Sequence, residues 1–366
     1  MTPQPTLPDY TGANVRGIVP ALLGPSSAPM PSWIPEAARQ AKQVVLLVLD
    51  GLGWEQLNDR AALAPALSGM AGGPITTVAP STTSTALTSI ATGLTPGEHG
   101  LVGYRIDVSG EVMNVLRWHT AAGDVRRSVE PRRMQPFVPF LGESVPVVSR
   151  ADLEGTAFTE AHLRGTRPFG WRSASSIPVV VDQLLRAGER FVYAYYDGID
   201  KIAHERGIGP FYDAELRLAD GLVADLLALL PPGAVLLVTA DHGQVQVGER
   251  IVAPHADVLR LVRHQSGEGR FRWLHARPGA HDDLLAAARE HHGDVAWVHS
   301  RAELIDAGWF GTVVSPPVAA RYGDVALVPY APISFDDPDD SGPFTLECRH
   351  GSLTSAEMLV PLLASS

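Results

Sequence analysis

Three short apolar runs constrain the fold of this chain more than any other feature: Val44–Leu49, Phe191–Tyr196 and Ala234–Thr239. Each has about the length of one strand and carries few polar residues, which is typical of strands covered by helices on both faces. A fourth strand-type run lies at Val325–Pro329. The sequence therefore predicts a sheet whose central strands are buried on both sides.

Helical patterns lie between these runs. Ser176–Ala187 is one predicted helix, and Asp213–Leu230 is a second, because apolar residues recur along one face until Pro231 stops the pattern. The alternation of buried strands with helices predicts an α/β fold. We expect a doubly wound, mainly parallel central sheet with helices on both faces.

Two long stretches interrupt this alternation. Residues 105–171 are polar, rich in arginine and proline and weakly periodic, whereas residues 252–324 contain seven histidines among short mixed elements. Neither stretch is flanked by a Gly/Ser-rich linker, and a chain of 366 residues can bury one large core. We therefore expect a single domain over residues 1–366, with insertions or a cap at these two places.

Charge and cysteine content exclude several classes of function. A net charge of -11 and a pI near 5.6 argue against a nucleic-acid backbone as the main partner, since that affinity depends on concentrated Lys and Arg. The single cysteine, Cys348, excludes an internal disulfide, so any metal would be held by Asp, Glu and His. No stretch resembles a signal peptide or a membrane span, and we expect a cytoplasmic protein without a membrane partner.

Metal-ligand side chains follow the first and third strand-type runs. Asp50 ends the first run before Gly51, and Asp241 and His242 follow the third run after Ala240. Ligands of open α/β sheets bind beyond the carboxyl ends of the strands, so these side chains suit a site there. Taken singly, each aspartate could also be a turn or helix-cap residue.

Asp200 and His204 follow the second run at an i,i+4 spacing, which places both on one face of a helix. Such a pair can chelate one ion, or it can be an ordinary exposed helical pair. His350, close to the end of the chain, is a further candidate, although a single histidine there is typical of a solvated surface.

A run rich in hydroxyl side chains lies between Pro80 and Gly93. Pro80 and the Ser and Thr residues after it predict the start of a helix, and Gly93 predicts its end. A hydroxyl at that start would lie beside free N–H groups and the positive end of the helix dipole, where anions bind. A simple Ser/Thr helix cap is the alternative interpretation.

These candidates fall within five segments that occur in a fixed order: Val-Leu-Asp50-Gly, Pro80-Ser-Thr-Thr83 with Ala-Thr-Gly93-Leu-Thr-Pro-Gly-Glu-His99-Gly, Asp200-Lys-Ile-Ala-His204 with Gly207-Ile-Gly-Pro210, Thr-Ala-Asp241-His242-Gly, and His350-Gly. Together they resemble the alkaline phosphatase superfamily, specifically its nucleotide pyrophosphatase/phosphodiesterase branch. Each segment is loose by itself, but the five in this order are specific. The resemblance implies one alkaline phosphatase-like catalytic domain.

The resemblance also implies two zinc ions held by three Asp and three His side chains. It assigns one ion to Asp200, His204 and His350, and the other to Asp50, Asp241, His242 and the nucleophile Thr83. Thr83 is the match because the family nucleophile lies three residues after the proline and nine before the Thr of Thr-Gly. Mn²⁺ or another divalent ion would also fit such ligands.

The chemistry agrees with this assignment. A threonine hydroxyl is a poor nucleophile at neutral pH, and no Ser-His-Asp order supplies a side-chain base. Two metal ions would stabilise the attacking and leaving oxygens of an in-line displacement. The resemblance therefore implies a hydrolase that cleaves phosphodiester or nucleotide pyrophosphate bonds of a small phosphoester or nucleotide, through a phosphothreonine on Thr83.

One position departs from the family pattern. The phosphodiesterase branch usually has an asparagine 21 residues after the nucleophile to bind a phosphoryl oxygen, whereas this chain has Tyr104 followed by Arg105. Tyr104 can donate one hydrogen bond, and Arg105 could clamp a phosphoryl group or be a surface residue. A phosphomonoesterase and a phosphonate hydrolase therefore stay open as alternatives.

Two more distant classes fit less well. A metal-dependent isomerase similar to phosphoglycerate mutase would need a serine close after the first strand, and Asp50-Gly-Leu-Gly has none. A non-catalytic metal-binding module would be expected to lack some of the ligands, whereas every expected position is filled.

Overall fold

The computed structural model describes residues 3–25, 27, 29–340 and 346–365. These residues form nineteen strands, β1 to β19 in chain order: Gln43–Leu49, Ala71–Thr76, Arg105–Val108, Glu111–Asn114, His119–Thr120, Gly123–Asp124, Pro146–Arg150, Arg167–Trp171, Phe191–Tyr196, Ala234–Thr239, Val245–Gln246, Ile251–Val252, Val262–Glu268, Phe271–Ala276, Ala296–Ser300, Val325–Pro329, Ser334–Phe335, Cys348–Arg349 and Leu359–Ala364.

The same residues form sixteen α-helices, α1 to α16: Ile18–Leu23, Glu36–Gln40, Trp54–Asp59, Pro65–Ser68, Thr83–Thr92, Pro96–His99, Pro131–Met134, Ala157–Leu163, Ser176–Arg186, Gly198–Arg206, Pro210–Leu229, Ala256–Leu259, His281–His292, Arg301–Asp306, Pro316–Ala319 and Ser355–Met358. None of the helices in the described ranges has both the length and the apolar character needed to cross a membrane.

A seven-stranded sheet in the order β2-β19-β10-β1-β9-β7-β8 forms the centre of the fold. Strands β10, β1, β9, β7 and β8 are parallel, and β19 and β2 are joined to them by antiparallel pairing at one side. The predicted α/β fold with a mainly parallel central sheet is thereby confirmed.

The elements predicted from apolar patterns are present. The three runs that predicted buried strands are β1, β9 and β10, which belong to the main apolar core. The fourth run is β16, which lies in a separate sheet. Helices α9 and α11 match the two predicted helices, and α11 begins slightly earlier, at Pro210, because proline is well suited to the first position of a helix.

The stretch 105–171 divides into two parts. Its first part contains the small antiparallel sheet β3–β6 and helix α7. Its second part supplies β7 and β8 to the central sheet, so the chain re-enters that sheet well before residue 171. This return to the central sheet was not predicted. Strand β8 is an edge strand with mostly exposed side chains, so it lacks the apolar run of a buried strand.

The stretch 252–324 forms most of another four-stranded sheet, in the order β13-β14-β16-β15. This sheet packs with α13 around an apolar cluster of its own, separate from the main core. Strand β13 also contacts β3. We call the two small sheets, β3–β6 and β13–β16, the cap sheets.

The carboxyl ends of the central strands lie side by side. Val48 of β1 pairs with Tyr195 of β9 on one side and with Thr239 of β10 on the other. Asp50 lies two residues after Val48, and Asp241 lies two residues after Thr239. The parallel pairing therefore brings both carboxylates to one edge of the sheet.

Candidate active site

Asp50, Asp241 and His242 lie together at this edge, and we call them the buried group. Nε2 of His242 is 3.5 Å from Asp50 Oδ1 and 3.4 Å from Asp241 Oδ2. The three side chains are at most 3% exposed. One oxygen of each aspartate thus faces the same histidine nitrogen.

The fold holds the other oxygen of each aspartate. The hydroxyl of Tyr195 donates to Asp50 Oδ2, and the backbone N–H groups of Gly51 and His242 donate to Asp241 Oδ1 at 3.1 Å. Asp50 Oδ1 and Asp241 Oδ2 are buried, and the described residues offer them no hydrogen-bond partner. Buried carboxylate oxygens normally accept a hydrogen bond, so these two atoms are suited to a cation.

Asp200, His204 and His350 form a second group, which we call the open group because its side chains are between 9% and 21% exposed. Asp200 and His204 lie on α10, as their spacing predicted, with Asp200 Oδ1 3.2 Å from His204 Nε2. Nε2 of His350 is 3.9 Å from the same oxygen. The stacked rings of His242 and His350, 3.6 Å apart, join the two groups.

All three histidines turn Nδ1 towards a backbone carbonyl. The Nδ1 atoms of His204, His242 and His350 lie 2.7, 3.0 and 2.9 Å from the carbonyl oxygens of Cys348, Gly243 and Ser81, respectively. A proton on Nδ1 donates to the carbonyl and leaves Nε2 unprotonated on the side of the site. Metal-ligating histidines are commonly oriented in this way.

Thr83 is the first residue of α5, the helix predicted from the hydroxyl-rich run. Its Oγ1 lies 3.1 Å from Nε2 of His242. The helix ends at Gly93, whose φ of 73° lies in the left-handed region that favours glycine. The first N–H groups of a helix have no partner within it, so this end attracts anions. Thr83 therefore combines a hydroxyl, a contact with the buried group and an anion-binding position.

The electrostatics of the two groups favour a bound cation. Burial, together with the charges of Asp241 and Asp200, raises the pKa of Asp50 well above its usual range. Burial also raises the pKa of Asp241, and burial beside His242 and His204 lowers the pKa of His350. Crowded carboxylates without a counter-charge are unfavourable, and a divalent ion would relieve this. The Asp and His donor set fits zinc or a similar ion.

A family model described as type I phosphodiesterase / nucleotide pyrophosphatase matches residues 44–353 of this chain. The chain belongs to this family. It is therefore a hydrolase of phosphoric ester or anhydride bonds, from a family that depends on divalent metal ions. A comparison with curated protein sequences gives no match.

Solved structures from two kinds of hydrolase share the fold. Murine ectonucleotide pyrophosphatase/phosphodiesterase 5 is 14% identical, with a TM-score of 0.65 and 88% of each chain covered. The human form is 16% identical, with a TM-score of 0.64 and coverage of 88% of this chain and 87% of that chain. Phosphonoacetate hydrolase from Sinorhizobium meliloti 1021 is 20% identical, with a TM-score of 0.65 and coverage of 89% and 90%.

In this member of the type I phosphodiesterase family, Tyr104 lines a cavity of about 290 Å³ together with Thr83 and the open group. Arg105 does not reach that cavity. Its Nη1 donates to Asp337 at 2.6 Å, and its side chain is only 9% exposed. The position of Arg105 therefore does not support its predicted role in clamping a phosphoryl group, because a buried ion pair holds the guanidinium elsewhere.

Four charged side chains outside the two groups also line the Thr83 cavity and were not predicted: Arg117, Glu268, Asp340 and Arg349. Arg349 directly precedes His350, and this adjacency could have marked it. Arg117 follows β4, and Glu268 ends β13, so both belong to the region of the cap sheets. Their approach to Thr83 depends on how these sheets fold over the site, which no local pattern reveals.

A further His/Asp set, which we call the cap group, lies between the two cap sheets, and its side chains are between 6% and 17% exposed. Asp107 Oδ2 is 2.8 Å from His264 Nε2 and 3.8 Å from His275 Nδ1. The N–H of Gly110 donates to Asp107 Oδ1, and the hydroxyl of Ser266 lies 2.8 Å from His275 Nε2. Both oxygens of Asp107 thus already have hydrogen-bond donors.

Proposed function

We propose that this protein cleaves phosphodiester or nucleotide pyrophosphate bonds with Thr83 as the nucleophile and two zinc ions as cofactors. The observation that carries the proposal is the position of Thr83, at the start of α5 and 3.1 Å from Nε2 of His242. Family membership supports the reaction class. A solved structure of an inactive murine phosphodiesterase 5 contains AMP, which supports a small nucleotide-type substrate.

The two groups of side chains divide the metal sites between them. The buried group and Thr83 would hold one ion, and the open group would hold the other. When bound, the ions would stabilise the attacking and leaving oxygens of the displacement. The protein contributes orientation, since Tyr195 and backbone N–H groups fix the carboxylates and backbone carbonyls fix the histidine rings.

Two displacements at phosphorus follow from this arrangement. In the first, Oγ1 of Thr83 bonds to phosphorus and loses its proton, while the leaving oxygen separates from phosphorus and takes up a proton. In the second, water cleaves the phosphothreonine and restores the hydroxyl. The N–H groups at the start of α5 would bind the phosphoryl oxygens in both steps.

Phosphonate hydrolysis is the second candidate function. The similar phosphonoacetate hydrolase was solved with phosphonoacetate bound. In this chain two arginines, Arg117 and Arg349, line the cavity beside Thr83 together with Asp340. A guanidinium group pairs well with a carboxylate, so the cavity also suits a phosphonate that carries a second anionic group. Phosphomonoester hydrolysis is the third candidate, because Tyr104 replaces the usual asparagine.

Hydrolysis assays with zinc would test the proposal and rank the candidates. The substrates are bis(4-nitrophenyl) phosphate, 4-nitrophenyl phosphate and phosphonoacetate, and the proteins are wild type, Thr83→Ala and Thr83→Ser. We expect the diester to be preferred, Thr83→Ala to lower kcat at least about 10³-fold, and Thr83→Ser to keep measurable activity. A wild-type rate in Thr83→Ala would overturn the nucleophile assignment. A preference for phosphonoacetate would select the second candidate.

A further inference from the structure

Three carboxylate oxygens are buried without a hydrogen-bond partner in the described ranges: Asp50 Oδ1, Asp241 Oδ2 and Glu268 Oε1. The first two belong to the buried group. The third belongs to a side chain that lines the Thr83 cavity and has no part in either metal-ligand group. A buried carboxylate oxygen without a hydrogen-bond partner destabilises a folded protein. Three such oxygens around one site therefore suggest that these side chains bind a ligand there.

Glu268 is held firmly in this position. It is the last residue of β13, and it pairs with Phe271 of β14 across the two-residue turn Gly269–Arg270. Arg270 is completely buried and donates to both carboxylate oxygens of Glu357, at 2.7 and 2.8 Å. This ion pair fixes the tip of the hairpin, and therefore Glu268, beside the catalytic edge of the central sheet.

The side chain of Glu268 lies between the nucleophile helix and the strand end that carries His350. The hydroxyl of Thr82, which precedes Thr83, donates to Glu268 Oε2 at 2.6 Å. On the other side, a Cβ atom at Gly351 would come within 2.8 Å of Glu268 Cγ. One carboxyl oxygen is thus fixed by Thr82, whereas Oε1 of this cavity-lining residue is buried and has no hydrogen-bond partner in the described residues.

The surroundings of Glu268 favour the neutral carboxyl. Burial raises its pKa to about 8, against the hydrogen bond from Thr82. Of the charged neighbours, Asp340 and Glu357 raise the pKa and Arg272 lowers it. A neutral carboxyl whose Oε2 accepts from Thr82 can carry its proton on Oε1 and donate it in a hydrogen bond.

We propose that Glu268 is a substrate-binding residue whose Oε1 donates a hydrogen bond to an anionic oxygen of the substrate held at Thr83. This inference rests on the proposed function, because it requires the substrate to react at Thr83. A phosphoryl or carboxylate oxygen is the acceptor that fits. Only a protonated carboxyl can donate this hydrogen bond, because an ionised Asp or Glu is an acceptor. Glu268 thereby favours substrates that carry an anionic oxygen next to the scissile bond.

A series of variants at Glu268 tests this role by steady-state kinetics on bis(4-nitrophenyl) phosphate. Glu268→Gln keeps a donor at the cavity and an acceptor for Thr82, and we expect kcat/KM within about threefold of wild type. Glu268→Leu keeps similar bulk without a donor, and we expect a loss of about 10- to 100-fold. Glu268→Asp withdraws the carboxyl by one methylene and should also lose activity, which keeps the test decisive if the leucine variant does not fold.

Glu268 could matter because it binds substrate or because it supports the start of α5 through Thr82. Thr82→Val removes only the hydrogen bond between Thr82 and Glu268, so it tests the second role by itself. We expect a smaller loss than in Glu268→Leu. An equal or larger loss in Thr82→Val, or wild-type kinetics in either Glu268→Asp or a folded Glu268→Leu, would overturn the inference. The Thr83→Ala variant keeps the two proposals apart. If Thr83→Ala is inactive while Glu268→Leu is unaffected, only the role of Glu268 fails, whereas an active Thr83→Ala refutes the proposed function itself.

Discussion

The buried group and the cap group contain the same kinds of side chain, yet their hydrogen bonding differs. In the cap group, Asp107 accepts from Gly110 with one oxygen and lies 2.8 Å from His264 Nε2 with the other. In the buried group, Asp50 and Asp241 each keep one oxygen without a donor among the described residues. Unused bonding capacity, and not residue type alone, therefore distinguishes the candidate metal site from a cluster that is held by its own hydrogen bonds.

The pKa values of the aspartates in the two groups are also shifted in opposite directions. Burial acts to raise the pKa of Asp107, but the hydrogen bond from His264 and other donors outweigh it, and the pKa lies below its usual value. Burial and neighbouring carboxylates raise the pKa of Asp50 instead. The cap group is thus already stabilised by its own donors, whereas a bound cation would stabilise the buried group.

The largest expected effect comes from Asp241→Asn. This change removes a negative charge and one ligand oxygen from the buried group while keeping the size of the side chain. We expect one metal equivalent per chain to be lost and kcat/KM to fall at least about 10³-fold. Metal analysis and hydrolysis of the nitrophenyl diester would measure both quantities. Full activity with two equivalents bound would remove Asp241 from the site.

The raised pKa of Glu268 predicts that the stability of the folded protein depends on pH. Folded Glu268 has a pKa of about 8 against an ordinary value of 4.5, so the folded state binds more protons than the unfolded state between these values. The free energy of unfolding of wild type should therefore fall as pH rises from about 5 to about 8, by up to about 1.4 kcal/mol per pH unit relative to Glu268→Gln. Urea unfolding at fixed zinc concentration would measure it, and parallel pH profiles for the two proteins would contradict the prediction.

Removal of the donor to Asp50 should have a moderate effect. Tyr195→Phe deletes the hydroxyl that holds Asp50 Oδ2, and we expect zinc affinity to fall about 10- to 100-fold. The matched control is Tyr193→Phe on the same strand, because the Tyr193 hydroxyl is buried without a partner in the described residues. Competition with a chelator would measure both affinities. Equal affinities in the two variants would show that Tyr195 does not orient Asp50.

The smallest effect is expected in the cap group. Asp107→Asn keeps an acceptor for Gly110 and alters one hydrogen bond to His264. We expect a loss of about 1 kcal/mol in the free energy of unfolding, with metal content and kcat/KM close to wild type. A lost metal equivalent would show that the cap group also binds a metal and would break the comparison.

The sequence predicted those parts of the molecule that depend on local pattern and strand order. Asp50 and Asp241 lie close together, as their positions just after two neighbouring parallel strands predicted. Strands β2 and β19 were missed because Pro74 and Pro361 lie within them, and proline normally argues against a strand. Glu268 was missed because it is far from Thr83 in the chain and reaches it only through the folding of a hairpin tip. For Arg105 the sequence left a phosphoryl contact and a surface position open, because its partner Asp337 cannot be identified from sequence spacing.

We propose that the buried and open groups each hold one metal ion and that Thr83 reacts only when both are filled. Chelator-stripped protein can be titrated with zinc while bound metal and diester hydrolysis are measured on the same samples. We expect two ions per chain, and hydrolysis that appears as the second site fills. Hydrolysis by metal-free protein, or full activity with less than one ion per chain, would contradict it.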